Sequence, residues 1–193
     1  MSKSSGNNGS DLVQKSAIPG AIVMPQDQHY FLQEKAFTQS QAYVFGTTET
    51  KHFLIDPTPY NPDSGQDFGK IIIEVPSIFA EAGPLIISFY RDMALGTAVS
   101  TPLVVPSFNR VATSTRPPQM VLSSIDKAPD TVGTLFSQIV VPASATGGGQ
   151  QAGFNVSESL PFALDITKKT YMSVLNKNGA DTDVGIRWSW FEI

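Results

Sequence analysis

The sequence predicts an all-β protein: one antiparallel β-sandwich with an extended N-terminal arm. Fourteen prolines and fifteen glycines are spread along the chain as punctuation, which favours many short strands over long helices. Between the breaks lie runs rich in β-branched and aromatic residues, spaced roughly 10 to 15 residues apart, with no amphipathic helical stretch between them. That spacing opposes βαβ units and favours an antiparallel sandwich or barrel. No repeat of fixed period is visible, so a single non-repeating sandwich is expected.

Taken in order, residues 1–16 are Ser-, Gly- and Asn-rich with almost nothing to bury, the composition of a tail that orders only on a partner. Residues 17–37 carry apolar side chains in pieces broken by Pro19-Gly20 and Pro25. Ile18, Ile22, Val23, Tyr30 and Phe31 are the candidate anchors of a docking arm, so the chain divides into an arm over 1–37 and a sandwich over 38–193. A first core strand at 20–24 is the alternative reading of the same stretch. Strands are expected near 41–45, 50–55, 70–75, 84–91, 97–105, 119–125, 133–141, 160–166, 170–177 and 184–193. The stretches 56–69, with three prolines and two glycines, and 142–158, with Gly147, Gly148 and Gly149, are expected to be exposed loops.

Residues 71–75 (IIIEV) and 84–90 (PLIISFY) are apolar on both faces, as central strands are. The last run, VGIRWSWFEI, alternates instead: Ile186, Trp188 and Trp190 share one face, because side chains alternate along a strand. The two tryptophans are expected to lock the final strand into the core.

Composition excludes several classes of function. At 193 residues the chain is long enough for one ordinary core but short for two domains. Charged residues make up only 16% of it, and a net charge of −4 gives no footprint for a phosphate backbone, so no nucleic acid is expected as a partner. With no cysteine there is neither a disulfide framework nor thiolate chemistry. MSKSSGNNGS lacks the apolar stretch of a signal peptide and no run is long enough to span a bilayer, so synthesis in a cytoplasm and no membrane partner are expected.

Catalytic material is thin. His52 has Asp56 on the same side of a strand by even spacing, but no Gly-x-Ser-x-Gly turn exposes a serine nucleophile, so His52 reads as a surface or rim histidine. Asn61, Asp63, Gly65 and Asp67, and more loosely Asn176, Asn178, Asp181 and Asp183, have the cadence of a calcium loop without its closing glutamate, and such residues are what any turn selects. The triple glycine at 147–149 lacks the strand-to-helix context and the lysine of a phosphate loop. Arg110 and Arg116 flank a polar turn, where Arg110 reads as a structural anchor for the bend. No catalytic residue, cofactor site or metal site is expected, and the chain reads as non-enzymatic. The twelve phenylalanines and five tyrosines are expected mostly in the core, leaving carbohydrate stacking as a minor reading.

The order of blocks HFLIDPT, PLIISFYRD, GTAVSTPLVVPSFNR, GTLFSQIVVPAS, a Gly-rich loop, SLPFALDITKKTYMSVLNKN and VGIRWSWFEI resembles that of small virion proteins of tailed bacteriophages, the head-decoration or head-fibre type. The matching residues are Asn109-Arg110, Gly133-Thr134, Tyr171, Asn176 and the ending Trp190-Phe191-Glu192. The chain departs from the family's pattern in having a single Asn before Arg110 and Phe191 where the family often has Tyr. The resemblance implies a jelly-roll-type domain, commonly trimeric, without catalytic residues. Such a domain binds the major capsid protein on the capsid exterior after assembly in the host cytoplasm. A tail-fibre-like or host-glycan-binding module using the loops at 56–69 and 142–158 is the alternative.

Overall fold

The computed structural model describes residues 35–60, 70–81, 83–103, 108–110, 115–141 and 162–193. Among the described residues there are eleven strands and no helix. They are β1 (Ala36–Phe45), β2 (Thr50–Asp56), β3 (Ile71–Ala80), β4 (Leu85–Arg91), β5 (Ser100–Pro102), β6 (Phe108–Asn109), β7 (Val121–Ile125), β8 (Thr134–Val141), β9 (Phe162–Leu164), β10 (Thr170–Asn176) and β11 (Thr182–Glu192). They form two antiparallel sheets packed face to face, one ordered β6-β1-β11-β3-β9 and the other β5-β7-β2-β10-β4-β8. The protein is therefore the all-β sandwich that its punctuation predicts.

Eight strands are nested. β1 pairs with β11, β2 with β10, β3 with β9 and β4 with β8, and successive pairs alternate between the sheets. The other three lie in the chain between β4 and β8 and extend the margins: β7 pairs with β2, β5 with β7 and β6 with β1.

The β1–β11 register runs unbroken from Ala36↔Phe191 to Phe45↔Thr182. Strand alternation then sends Phe37, Phe45, Ile186, Trp188 and Trp190 into the space between the sheets. Both tryptophans are fully buried, Trp190 stacked on Phe37 at 5.7 Å between ring centroids and Trp188 edge-on to Phe53 at 5.5 Å. At about 25 cal/mol per Å², burial of each indole contributes on the order of 5 kcal/mol, an upper bound that neglects structure in the unfolded chain.

Three boundaries differ from the sequence expectation. β1 begins at Ala36 rather than near 41, and Ala36 and Phe37 are completely buried, so they belong to the sandwich and not to an arm ending at 37. The inward row of β1 contains Gln39, 3% exposed, which hides the apolar alternation on which the expectation relied. β3 runs to Ala80, past Pro76, which sequence reading takes as a stop. Its register with β11 shifts between Arg187 and Ser189, so two β3 residues, one of them Pro76, oppose a single β11 residue. A bulge of this kind accommodates a residue with no N–H to give. β6, two residues long, falls where only a bend was expected.

A second, smaller apolar cluster covers the outer face of the second sheet. Leu54 and Tyr171 are buried there with Ala98 and Ile125, flanked by Tyr90, Met93, Leu95 and Val132. The segments 93–99 and 126–132 form this cap, bridged at Ala94↔Thr131. Asp130 accepts hydrogen bonds from the Thr97 N–H (2.9 Å) and hydroxyl (3.0 Å), and Asp126 accepts one from the Val99 N–H at 2.8 Å.

Candidate functional site

The five short motifs singled out in the sequence occupy joints of the scaffold. Glu192, fully buried, directs one carboxylate oxygen at three donors: the backbone N–H groups of Gln119 (2.8 Å) and Met120 (2.9 Å) and the indole N–H of Trp190 (3.1 Å). It thereby ties the last strand to the segment entering β7. Asn176, also fully buried, donates through Nδ2 to the carbonyls of Gly46 (3.0 Å) and Ala180 (3.1 Å) and accepts from the Asn178 N–H (2.8 Å). It closes the corner where the β1–β2 and β10–β11 turns meet.

Arg110 donates its backbone N–H to the Ala36 carbonyl at 2.7 Å, lies 5.7 Å from the Phe191 ring centroid and places Nη1 3.6 Å from Glu74. That is the anchoring role its position predicts. Gly133 has φ +87°, and a Cβ there would lie 2.1 Å from the Arg91 carbonyl oxygen, so the turn into β8 excludes any side chain. Tyr171 is the centre of the outer cluster, its ring stacked on Tyr90 at 5.3 Å.

The residues weighed and set aside as catalytic or metal-binding face different partners in the fold. His52 and Asp56 share the outer face of β2 but face different partners. His52 Nδ1 lies 2.6 Å from the Tyr171 hydroxyl, and the two rings stack at 5.9 Å. Burial pushes the imidazole below its ordinary pKa, against the nearby Asp126 carboxylate, which raises it. Burial likewise pushes the Tyr171 phenol up to about 12. Asp56 instead accepts from the Thr58 N–H and hydroxyl and pairs with Lys169 at 2.9 Å. Burial alone would raise its carboxyl, but these bonds outweigh it and hold the group below the usual carboxylate range.

Of the looser calcium cadence, Asn176 serves the corner just described and Asp181 accepts from the Thr47 N–H and hydroxyl. No grouping of three or more metal-ligating side chains occurs among the described residues. Asn61, Asp63, Gly65 and Asp67, the loop 142–158, and the candidate anchors Ile18, Ile22, Val23, Tyr30 and Phe31 lie outside the described residues.

The structure also assembles a cleft that sequence reading missed. It has a volume of about 310 Å³ and is built from the last residue of β4 and its successor (Arg91, Asp92), the start of β8 (Phe136), β9 (Ala163, Leu164), the turn that follows (Asp165, Lys168, Lys169) and the first residue of β10 (Thr170). Two local distortions shape it. The β4–β8 register shifts between Phe89 and Tyr90, so Phe136 is the extra residue between Leu135 and Ser137 and leaves the regular ladder. Asp92 adopts φ +59°, a left-handed conformation that Asp tolerates better than most residues.

Across the rim, Lys168 Nζ sits 2.6 Å from Asp92 Oδ1, and Arg91 Nε lies 3.9 Å from Asp92 Oδ2. The hydrogen bond to Asp92 raises the Lys168 pKa, and the hydroxyl and N–H of Thr167 hold the Asp165 carboxyl down. These residues come from three separated segments, SFYRD, GTLF and ALDITKKT, and nothing in their spacing links them.

Comparison with protein-family models, with curated proteins and with solved structures finds no match to this chain.

Proposed function

We propose that the chain is a non-catalytic structural component of a tailed-phage virion, a jelly-roll decoration subunit that binds the major capsid protein on the outside of the head. The observation that carries this reading is the use to which the motif residues are put. Arg110, Gly133, Asn176 and Glu192 serve turns, corners and strand junctions and Tyr171 packs the outer apolar cluster, so the motif that brings the resemblance encodes a scaffold rather than a reaction centre. The nested strand pairs, alternating between two sheets, support the jelly-roll reading. Separation of His52 from Asp56 supports a non-enzymatic role. Capsid attachment through the arm and homotrimeric assembly are parts of the same proposal.

The test is to purify particles of the encoding virus, detect the chain by mass spectrometry and locate it by cryo-electron microscopy. It is expected on the capsid exterior as threefold clusters, and absence from the particle overturns the reading. Because Lys35, Ala36 and Phe37 are buried in the sandwich, the arm is tested by deleting residues 1–34 and not 1–37. The deletion is expected to leave a folded domain that no longer binds capsids; retained binding removes the arm from the mechanism.

A further inference from the structure

We propose that the cleft between β4, β8 and the β9–β10 turn is a binding site for a neutral saccharide unit. This goes beyond capsid attachment and differs in place from the loops at 56–69 and 142–158, where the sequence suggested glycan contact.

Part of the lining is apolar. Phe136, 38% exposed, lines the cleft together with Leu164 and Ala163, and an exposed aromatic ring can stack on the C–H side of a pyranose. The volume of about 310 Å³ lies at the small end of the range for ligand pockets, suited to one sugar ring and its substituents. The rim is polar and holds both signs of charge: Arg91, Lys168 and Lys169 against Asp92 and Asp165.

The pairing of these charges decides between ligand classes. Lys168 is engaged by Asp92 at 2.6 Å and Lys169 by Asp56 at 2.9 Å, so an incoming anion would have to compete with carboxylates already in place. An acidic peptide or a phosphate therefore gains little there. A sugar hydroxyl is donor and acceptor at once, so it can accept from a lysine and donate to an aspartate without separating the pair. Asp92 and Asp165 are the acceptors, Arg91, Lys168 and the Thr170 hydroxyl the donors, and Phe136 the platform. The β8 bulge that displaces Phe136 from the ladder supplies that platform, and bulges recur beside binding sites for this reason.

The full chain, isotope-labelled for NMR, is titrated separately with glucose, galactose, mannose and N-acetylglucosamine, and in parallel with glucuronic acid, inorganic phosphate and a tetra-aspartate peptide. At least one neutral sugar is expected to shift the amide resonances of Asp92, Leu164 and Thr170 saturably. Phe136→Ala is expected to weaken that binding about tenfold or more. Lys168→Ala, at a half-exposed side chain, is expected to weaken it measurably. The proposal is overturned if no neutral sugar shifts these resonances, if only the anionic probes do, or if binding survives both substitutions unchanged. None of these outcomes depends on whether the chain binds a capsid.

Discussion

Replacing Glu192 tests whether one buried carboxylate holds the end of the sandwich together. All three of its hydrogen bonds converge on Oε1, while Oε2 is buried without a partner. Glu192→Ala removes the only acceptor that these bonds share and leaves two backbone N–H groups and an indole N–H facing the gap. An unsatisfied buried donor costs about 1–3 kcal/mol, and partial relief by entering water brings the expected total to about 3–5 kcal/mol. Glu192→Gln keeps an oxygen at Oε1 and places its NH₂ where Oε2 makes no bond. The charge assistance is lost and the two amide donors are left in a buried site that offers no acceptor, together about 2 kcal/mol.

Urea unfolding followed by tryptophan fluorescence reads both values. With a slope of about 2 kcal/mol per molar, Glu192→Ala lowers the midpoint by roughly 1.5–2.5 M and Glu192→Gln by roughly 1 M. Two results would refute the reasoning. If Glu192→Ala unfolds at the wild-type midpoint, the three bonds hold nothing that water cannot replace. If Glu192→Gln is as damaging as Glu192→Ala, keeping an acceptor at the Oε1 position gains the fold nothing.

Two further predictions concern the turn into β8 and the outer cluster. Gly133→Ala forces a Cβ to within 2.1 Å of the Arg91 carbonyl oxygen at a φ of +87°, so destabilisation of about 2–3 kcal/mol is expected in thermal unfolding; an unchanged melting temperature would contradict the geometry. His52 titrates below its ordinary value of 6.5 in the folded protein, so the unfolded chain takes up the proton first. Stability is therefore full above that value, declines as pH falls through it, and levels off below the folded pKa. His52→Gln is expected to flatten this part of the pH profile, and an identical decline in wild type and variant would show that His52 is not its source.

Much of the fold was legible because burial in a sandwich leaves a period-two record. Trp188 and Trp190 announced the inward face of β11, and IIIEV and LIISFY announced strands with neighbours on both sides. β1 was read late because Gln39 occupies an inward position, and β3 was cut short because a proline inside a strand looks like a stop until its bulge is seen. The joints were visible as motifs but not as roles: Glu192 stood only as the close of the Trp190-Phe191-Glu192 ending, and the approach of the 119–120 backbone, 72 or more positions earlier in the chain, gives it a function. The cleft was illegible for a similar reason. Its charges and its phenylalanine sit in ordinary strand-end contexts, and what makes them a site is the meeting of three distant segments, together with a bulge and a left-handed aspartate that local sequence does not declare.

The nested order also sets a timetable for folding. β1 leaves the ribosome first among the described strands, yet its long partner is β11, and the Thr38 hydroxyl finds the Trp188 carbonyl only across 150 positions of chain. Phe37 and Phe45 must therefore remain without their final neighbours until nearly the whole domain has been synthesised. Contacts of such range place the protein among slow folders and expose an unpaired strand to aggregation meanwhile. Truncation behind β10 should accordingly yield insoluble chain rather than a smaller soluble sandwich.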